Sequence, residues 1–283
     1  MFQTDLLANK KILVTGGGTG LGASMAKRFA ELGAELVICG RREAVLAETA
    51  GRISSATGAR VTTQTCDIRN AEQVDAMMDR IWADGPLDIL VNNAAGNFIA
   101  RTETLSPRAV DAILNTVVHG TAYTTVAAGR RWIDAGHKPA VVLSILTLSA
   151  LQGAAFRTPS AMAKAGVLAM TRSLAVEWGP RGIRTAAIAP GAFPTDGAQQ
   201  RLNPNAGQPN AYAQVPLGRA GDHSELTNLA AFLVSDQAGY INGECVVIDG
   251  GKQWRGDGGS NTDLLLSWGD AEWDEMKRKA RGA

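Results

Sequence analysis

The sequence predicts a single α/β domain in which a mostly parallel sheet carries helices on both faces. Short apolar runs alternate along the chain with longer stretches of helical period, an order that indicates βαβ crossovers. Of the 283 residues, 45% are hydrophobic and 19% are charged, which is enough apolar material for one substantial core. The chain shows neither an internal repeat nor a linker, so one domain over 1–283 is predicted.

Seven short apolar runs, several of them rich in β-branched residues, predict seven strands. In chain order these strands lie at 11–15, 35–40, 59–67, 87–93, 140–145, 183–191 and 244–251. Stretches of helical period predict helices at about 21–32, 43–56 and 70–83, from about Ser106, at 160–178 and near 222–234. Because helices connect the strands, the strands are parallel and their carboxyl ends meet at one edge of the sheet, where such sheets bind ligands.

Each element has its own justification in the chain. KILVT ends in a glycine-rich turn that opens an amphipathic helix, and ELVICG and ARVTTQTCD each precede a polar helix. LDILVNN leads through a loop to the helix near Ser106, and AVVLSI precedes the long helix that ends at Trp178. IRTAAIAPG and ECVVIDGG lie on either side of the last helix.

Two segments lie outside this alternation. Residues 193–215 are rich in Pro, Asn, Gln and Gly, which predicts a flexible flap over the cleft. Residues 252–283 form a tail in which Trp268 and Trp273 are expected to pack on a neighbouring subunit.

Composition and charge exclude several classes of function. A formal net charge of +1 gives no long-range attraction to nucleic acid or to an anionic membrane. No uncharged apolar run approaches the roughly 20 residues that span a bilayer, and the N-terminus shows no secretory signal. Cys39, Cys66 and Cys245 are predicted to be buried free thiols, and with no grouped metal ligands we expect no metal. A cytoplasmic protein is predicted.

The glycine-rich turn predicts a nucleotide site. VTGGGTGLG places Gly16, Gly20 and Gly22 between the first strand and the first helix. Glycines let the backbone turn tightly and approach a pyrophosphate, which the free N–H groups of the helix N-terminus then bind. The position between a strand and a helix is the context that makes this motif specific.

The end of the second strand indicates which dinucleotide is bound. NAD sites of this kind carry an acidic residue here for the ribose 2′-hydroxyl, whereas this chain has Arg41 and Arg42. Two guanidinium groups suit a 2′-phosphate, so NADP(H) is predicted. The alternative is that both arginines are simply solvated at a helix start, where the helix dipole disfavours cations.

The glycine loop, NNAAG (92–96), Lys164 and PG (190–191) occur in the order found in the short-chain dehydrogenases/reductases, which the chain resembles from about Lys10 to Gly251. The resemblance implies a single Rossmann-type, doubly wound, seven-stranded parallel sheet and a homotetramer. It implies that Asp67 meets the adenine, Asn93 holds the cofactor, Lys164 binds the nicotinamide ribose and Thr195 the carboxamide. It also implies that further cofactor contacts come from Gly18, Thr19, Leu21, Ile68, Ala94, Ala95, Pro190 and Gly191.

Within that superfamily the chain resembles the 2,4-dienoyl-CoA reductases. The similarity lies in NNAAGNFIARTETLS (92–106), PSAMAKAGVLAMTRSLAVEWG (159–179) and the two ends of 218–251. Those enzymes reduce dienoyl thioesters with NADPH and also lack the usual catalytic tyrosine. In this chain Ser160 stands where that tyrosine is normally found, four residues before Lys164.

The missing tyrosine distinguishes between reactions. Reduction of a ketone leaves an alkoxide that must be protonated in place, for which a phenol with a pKa of roughly 10 is suited and a serine is not. Tyr123, Tyr212 and Tyr240 are the only tyrosines, and none precedes a lysine by four residues. Reduction of a conjugated thioester instead makes an enolate, which needs hydrogen-bond donors and is protonated later on carbon.

Five side chains are candidates for this chemistry. Ser160 and Lys164 share a face of one helix. The resemblance implies that Asn97 holds the thioester oxygen and that Thr147 stands where the superfamily has its catalytic serine. Ser149 stands where the mitochondrial-type dienoyl reductases supply a substitute tyrosine.

Two further positions depart from the family patterns. Val117 stands where the superfamily usually has an asparagine, which argues against the ordinary proton relay. Asp196 replaces a basic residue of the flap, although Arg201 is still available to bind CoA phosphates. His137 and His223 lie in polar turns and are expected to be exposed.

Three functional hypotheses follow. The first is an NADPH-dependent reductase of a conjugated enoyl or 2,4-dienoyl thioester, with acyl-CoA as substrate. The second is oxidation or reduction of another carbonyl or alcohol, such as a 3-oxoacyl group, with water, Ser149 or Tyr212 replacing the phenol. The third is a catalytically silent NADP-binding protein.

Overall fold

Seven parallel strands form one sheet in the order β3-β2-β1-β4-β5-β6-β7, in a computed structural model that describes residues 3–195, 207–208, 211–255 and 262–280. The strands are β1 (Lys11–Thr15), β2 (Glu35–Gly40), β3 (Val61–Thr65), β4 (Ile89–Asn92), β5 (Ala140–Ile145), β6 (Ile183–Pro190) and β7 (Cys245–Ile248). The predicted α/β class, with seven parallel strands, is confirmed. Several predicted strands are too long, because polar or glycine residues at their carboxyl ends, such as Asp67, Asn93 and Gly191, already belong to the loops.

Helices connect the strands and cover both faces of the sheet. They are α1 (Gly20–Glu31), α2 (Glu43–Thr57), α3 (Ala71–Ala83), α4 (Pro107–Leu114), α5 (Gly120–Ala135), α6 (Ser149–Gln152), α7 (Thr158–Trp178), α8 (His223–Val234), α9 (Lys252–Arg255), α10 (Thr262–Leu266) and α11 (Asp270–Ala280). A π-helix, Asn115–His119, joins α4 to α5. The sequence did not predict this π-helix or the short helix α6.

The core has two layers because successive strand residues point to opposite faces of the sheet. On one face, Ile12 and Val14 of β1 pack with Phe29 of α1 and Leu226 of α8. On the other face, Leu13 packs with residues of α3 and α5, of which Met77 and Trp132 are fully buried. A third cluster includes Ile113, Val117, Val167 and Ala187, and so joins α4, α7 and β6. Both faces are therefore dry, as parallel sheets require.

Side-chain hydrogen bonds join the carboxyl ends of β1 and β4, the neighbouring strands at which the strand order changes direction. The Asn93 side-chain amide donates to the Thr15 carbonyl at 3.0 Å, and the Asn93 and Ala94 backbone N–H groups donate to Thr15 Oγ1 at 3.0 and 3.1 Å. The buried Asn92 side chain bonds Thr124 and Thr125 of α5, each at 2.8 Å. The loops that follow β1 and β4 are thus held at the switch point, where such sheets bind ligands.

The cysteines, two of the histidines and the tail can be compared with the predictions. All three cysteines are free and buried, as predicted. The expectation that His137 and His223 are exposed is wrong, because each is half-buried and hydrogen-bonded, His137 to Asp88 and His223 to Ser24, both at 2.7–2.8 Å. In the tail the rings of Trp268 and Trp273 stack edge to face with centroids 5.0 Å apart. Their packing on a neighbouring subunit stays a prediction.

The contact between α5 and α7 yields a stability prediction. A Cβ on Gly129 would lie 2.3 Å from the Trp178 ring, so Gly129→Ala overpacks this buried contact. We expect a loss of about 1–3 kcal/mol in the free energy of unfolding, measured from urea denaturation. Gly51, exposed in α2 with nothing within 4 Å, is the matched control, and Gly51→Ala should stabilise by about 0.5–1 kcal/mol. Equal stability of the two variants would contradict this packing.

Candidate active site

A cleft of about 790 Å³ lies at the carboxyl ends of the strands and is lined by loops that follow β1 to β6. It collects most of the residues that the sequence singled out. Among the predicted cofactor contacts, the lining includes Gly16, Gly18, Thr19, Gly20, Leu21, Arg41, Arg42, Asp67, Ile68, Asn93, Ala94, Ala95, Lys164, Pro190, Gly191 and Thr195. Among the predicted catalytic residues, it includes Asn97, Thr147, Ser160 and Lys164. Gly22 and Ser149 lie outside the lining.

The glycine loop has the shape that a pyrophosphate site needs. Gly16 and Gly20 have φ values of +65° and +55°, a backbone conformation that favours glycine. Although Gly22 does not line the cleft, a Cβ there would lie 2.4 Å from the Gly16 carbonyl oxygen. The loop can therefore fold tightly onto the start of α1 only with glycine at this position. These residues fit a dinucleotide phosphate.

Charged side chains gather at the end of the cleft formed by the loops after β2 and β3. Arg41 and Arg42 are exposed, and neither forms an ion pair with another residue of the described part of the chain. Asp67 accepts two hydrogen bonds from Nε of Arg69, at 2.9 and 3.0 Å, and one from Nη2 at 2.5 Å. This guanidinium holds the pKa of the Asp67 carboxyl below its usual range. Sequence reasoning missed Arg69, although its position two residues after Asp67 could have suggested it.

The far side of the glycine loop faces the segment after β6. A Cβ on Gly20 would lie 3.3 Å from Cγ2 of Thr195, so this threonine lies against the phosphate loop. His223 contacts the same region, because its Nε2 lies 2.7 Å from the Pro194 carbonyl oxygen and its Nδ1 lies 2.7 Å from Ser24 Oγ of α1. The start of the predicted flap is thereby attached to α1. Asp196 and Arg201 lie outside the described residues.

Lys164 is the buried cation of the site. It lies on α7 with only 6% of its surface exposed, and its Nζ donates to the carbonyl of Ile145 at the end of β5. Burial lowers the pKa of the Lys164 ammonium to about 8. Ser160, one turn earlier on α7, is also buried, and its hydroxyl makes no hydrogen bond within the described part of the chain. Both groups line the cleft.

Asn97 and Thr147 bring polar groups from two other strands. Asn97 follows β4, and its Oδ1 accepts from the Phe98 N–H at 2.9 Å, which leaves the amide Nδ2 as a donor toward a ligand. Thr147 follows β5, and its Oγ1 lies 2.5 Å from Oγ of Ser149. Ser149 is therefore hydrogen-bonded to a residue of the cleft lining without lining the cleft itself. The loops after β4 and β5 and the helix α7 thus each bring polar groups to the cleft.

Two contacts hold the loop of Asn97 against the start of α7. The Ala100 N–H donates to the Phe156 carbonyl at 3.0 Å, and the hydroxyls of Thr102 and Thr158 lie 2.9 Å apart. Phe156 has a φ of +62°, an unusual conformation for a bulky residue that is often found near functional sites. The loop after β4 and the helix that carries Ser160 and Lys164 are therefore joined.

None of the three tyrosines is part of the described lining of the cleft. Tyr123 packs against the core and stacks on His119, with ring centroids 5.9 Å apart. Tyr240 is fully exposed, and Tyr212 is half-buried in the turn before Val215. Val117, where the superfamily usually has an asparagine, is completely buried in the π-helix, and its neighbour Thr116 lines the cleft instead. Thr116 was also missed by sequence reasoning.

Neither a cluster of metal ligands nor a membrane-spanning helix is found among the described residues. Its residues contain no group of three or more His, Cys, Asp or Glu side chains that could hold a metal ion. Among the described helices, none combines the length and the apolar character needed to cross a membrane.

Comparison with known proteins identifies the family. The family model described as enoyl-(acyl carrier protein) reductase matches residues 16–253. A Bacillus subtilis protein named as a probable 2,4-dienoyl-CoA reductase is 43% identical over 251 residues, which cover 88% of this chain and 98% of the relative. A Caenorhabditis elegans protein, named as probable 2,4-dienoyl-CoA reductase 3, is 41% identical over 290 residues, which cover 100% of this chain and 93% of the relative.

A solved structure agrees with these relatives. The crystal structure of a short-chain dehydrogenase from Bacillus anthracis matches with a TM-score of 0.78 and 41% identity, covering 86% of this chain and 96% of that one. The family match, the relatives and the fold lead to one conclusion. This chain belongs to the short-chain dehydrogenase/reductase family of oxidoreductases, and it is similar to the 2,4-dienoyl-CoA reductases within that family.

Proposed function

We propose that this chain is an NADPH-dependent oxidoreductase that reduces a conjugated enoyl or 2,4-dienoyl thioester, with an acyl-CoA as substrate. The observation that carries this proposal is a cleft with a buried ammonium and several hydrogen-bond donors but no phenol in its described lining. Such a site suits a reaction whose negative charge needs stabilising rather than immediate protonation on oxygen.

The reduced nicotinamide, when bound, supplies a hydride to the far end of the conjugated system. The chain's own groups then hold the thioester oxygen as its negative charge develops. Asn97 contributes its free amide Nδ2, because its Oδ1 already accepts from Phe98. The Lys164 ammonium holds the nicotinamide ribose and adds positive potential to a dry site, where it acts more strongly than in water. The proton reaches carbon from water in a later step.

Ser160 and the Thr147–Ser149 pair complete the donor set. The Ser160 hydroxyl is free to donate to a ligand, and it lies one turn from Lys164 on α7. Ser149 lies behind Thr147 at 2.5 Å, so its role is to orient the Thr147 hydroxyl rather than to replace a catalytic phenol. Neither arrangement supplies an acid strong enough for ordinary carbonyl reduction.

NADP(H) is proposed as the cofactor on the chemistry of the adenosine end of the cleft. The family uses nicotinamide cofactors, and Arg41 and Arg42 directly follow the second strand, where a carboxylate would bind a ribose 2′-hydroxyl. Both guanidinium groups are exposed in the cleft and suit a 2′-phosphate. A homotetramer and a cytoplasmic location remain predictions from the sequence.

The names of these two relatives specify different products. The Bacillus subtilis protein is named as producing a (2E)-enoyl-CoA, whereas the Caenorhabditis elegans protein is named as producing a (3E)-enoyl-CoA. Both names support a dienoyl-CoA substrate for this chain. The position of the product's double bond is therefore a quantity to measure alongside the rate.

A panel of three substrates tests the reaction class. We expect NADPH oxidation with 2,4-dienoyl-CoA or 2-enoyl-CoA and little with 3-oxoacyl-CoA. The loss of absorbance at 340 nm measures the rate, and mass spectrometry identifies the product. Activity on the 3-oxo compound alone would support ordinary carbonyl reduction. Binding of NADPH without turnover on any of the three would instead support a catalytically silent protein.

Replacement of Lys164 tests the site itself. Lys164→Ala should abolish turnover with every substrate, because it removes the buried ammonium. Lys27→Ala is the matched control, since Lys27 is an exposed residue of α1 paired with Glu31. Equal loss in both variants, or full activity of Lys164→Ala, would show that the site is assigned wrongly.

Asn97 tests the stabilisation of the enolate. Asn97→Asp keeps the shape of the side chain but loses the amide donor, and it should lower kcat by about 10²–10³. The KM for NADPH should change little, because Asn97 is expected to contact the substrate. Steady-state kinetics with the best thioester measure both quantities. A variant that retains the kcat of the wild-type protein would contradict this role.

The pKa of Lys164 predicts a pH dependence. Activity needs the charged ammonium, so kcat/KM should be full below about pH 8 and should fall as the pH rises through it. The folded-state pKa lies below the ordinary value of 10.5, so the folded chain binds fewer protons than the unfolded one between these values. The free energy of unfolding should therefore increase as the pH rises from about 8 to 10.5. A profile of kcat/KM that stays flat to pH 10 would contradict this prediction.

A further inference from the structure

We infer that Arg69 determines cofactor specificity by cancelling the charge of Asp67 beside the 2′-phosphate subsite. This inference rests on the proposed preference for NADP(H), and it concerns a residue that the sequence did not single out. Arg69 lines the cleft together with Arg41, Arg42 and Asp67. It follows Asp67 by two residues in the loop after β3.

Asp67 presents a problem for a phosphorylated ribose. It is the sole acidic side chain among the described residues that line the cleft, and it faces the end that holds Arg41 and Arg42. Arg41 lies near enough to help lower the pKa of the Asp67 carboxyl, so the two groups share one electrostatic environment. A free carboxylate here would repel the 2′-phosphate that the two arginines attract.

The geometry of Arg69 removes this problem. Its guanidinium meets both carboxylate oxygens, with Nε at 2.9 and 3.0 Å and Nη2 at 2.5 Å, so the contact is a two-sided ion pair rather than a single distant charge. The Asp67 carboxylate also accepts from the Arg69 backbone N–H at 3.1 Å, which fixes the turn. With the pair formed, the local formal charge is that of Arg41 and Arg42 alone.

The pair explains how a carboxylate and a phosphate can share this end of the cleft. Asp67 can still accept from the adenine amino group, the role implied by the family resemblance, because the single Nε–H of Arg69 is shared between the two carboxylate oxygens and does not occupy a full acceptor site on each. Arg69 prevents its charge from acting on the neighbouring 2′-phosphate. NADH carries no phosphate at that position, so its binding should depend much less on Arg69.

If Arg69 only held the loop in shape, the expected result would be different. An exposed ion pair contributes little to stability, and one that only held the loop would affect NADPH and NADH alike. The ratio of the two dissociation constants separates the two roles. Changes in loop shape or in adenine binding cancel in this ratio, whereas a charge effect on the 2′-phosphate does not.

Direct binding measurements test the inference without turnover. We would measure the Kd of NADPH and of NADH by nucleotide fluorescence for the wild-type chain, Arg69→Gln, Asp67→Asn and the double variant. Arg69→Gln keeps a hydrogen-bonding side chain but leaves Asp67 charged, so the preference for NADPH should fall by roughly three- to tenfold. Asp67→Asn should keep or increase the preference, and the double variant should return to the wild-type ratio, because its local charge is again that of Arg41 and Arg42.

Arg80→Gln is the matched control. Arg80 is an exposed arginine of α3 that bonds Gln64 and does not line the cleft, so its replacement changes the net charge equally but should leave the ratio unchanged. The fall in Arg69→Gln should also shrink as salt is raised, since exposed charges are screened. An unchanged ratio in Arg69→Gln, or a double variant that stays as low as Arg69→Gln, would overturn the inference.

A wrong cofactor assignment and a wrong role for Arg69 would give different results. If the wild-type chain bound NADH as tightly as NADPH, the proposed NADP(H) preference would be wrong, while the shift in Arg69→Gln would still decide the role of Arg69. If the wild-type chain preferred NADPH and the variants kept its ratio, the proposed cofactor would stand and the inference would fall.

Discussion

The hydrogen bonds between Thr15 and Asn93 are the constraint on which the rest of the site depends. They join the end of β1 to the end of β4, the two neighbouring strands at which the chain reverses its order across the sheet. Because of this link, the glycine loop and the loop of Asn97 leave the sheet from fixed points on either side of one cleft. The link thereby sets the relative position of the glycine loop and the loop of Asn97.

Burial of a single ammonium sets the chemistry of that cleft. Lys164 has lost most of its hydration, and the carbonyl at the end of β5 is the hydrogen-bond partner that compensates for the loss. A cation in a dry site exerts a strong field on a nearby oxyanion. This field and the amide of Asn97 fit the proposed stabilisation of an enolate, a reaction that does not require a tyrosine at the position of Ser160.

At the other end of the cleft the charged groups are exposed, and their net charge matters more than their burial. Arg41 and Arg42 face solvent, and the nearby carboxylate of Asp67 is held by Arg69. The two ends of the cleft thus differ in how they treat a charge. At one end, burial strengthens the field of the Lys164 ammonium. At the other end, the ion pair with Arg69 neutralises the Asp67 carboxylate.

The sequence by itself determined the parallel sheet and the glycine loop, and it singled out Lys164 and Asn97, which line one cleft. Strand and helix periodicity and the need for glycine at Gly16, Gly20 and Gly22 are local properties, so they can be recognised in the chain. Only the tertiary structure decided that Arg69 pairs with Asp67, that Ser149 lies behind Thr147 and that no tyrosine joins the described lining of the cleft. These facts depend on side-chain directions in loops and on the packing of distant elements, which no local pattern encodes.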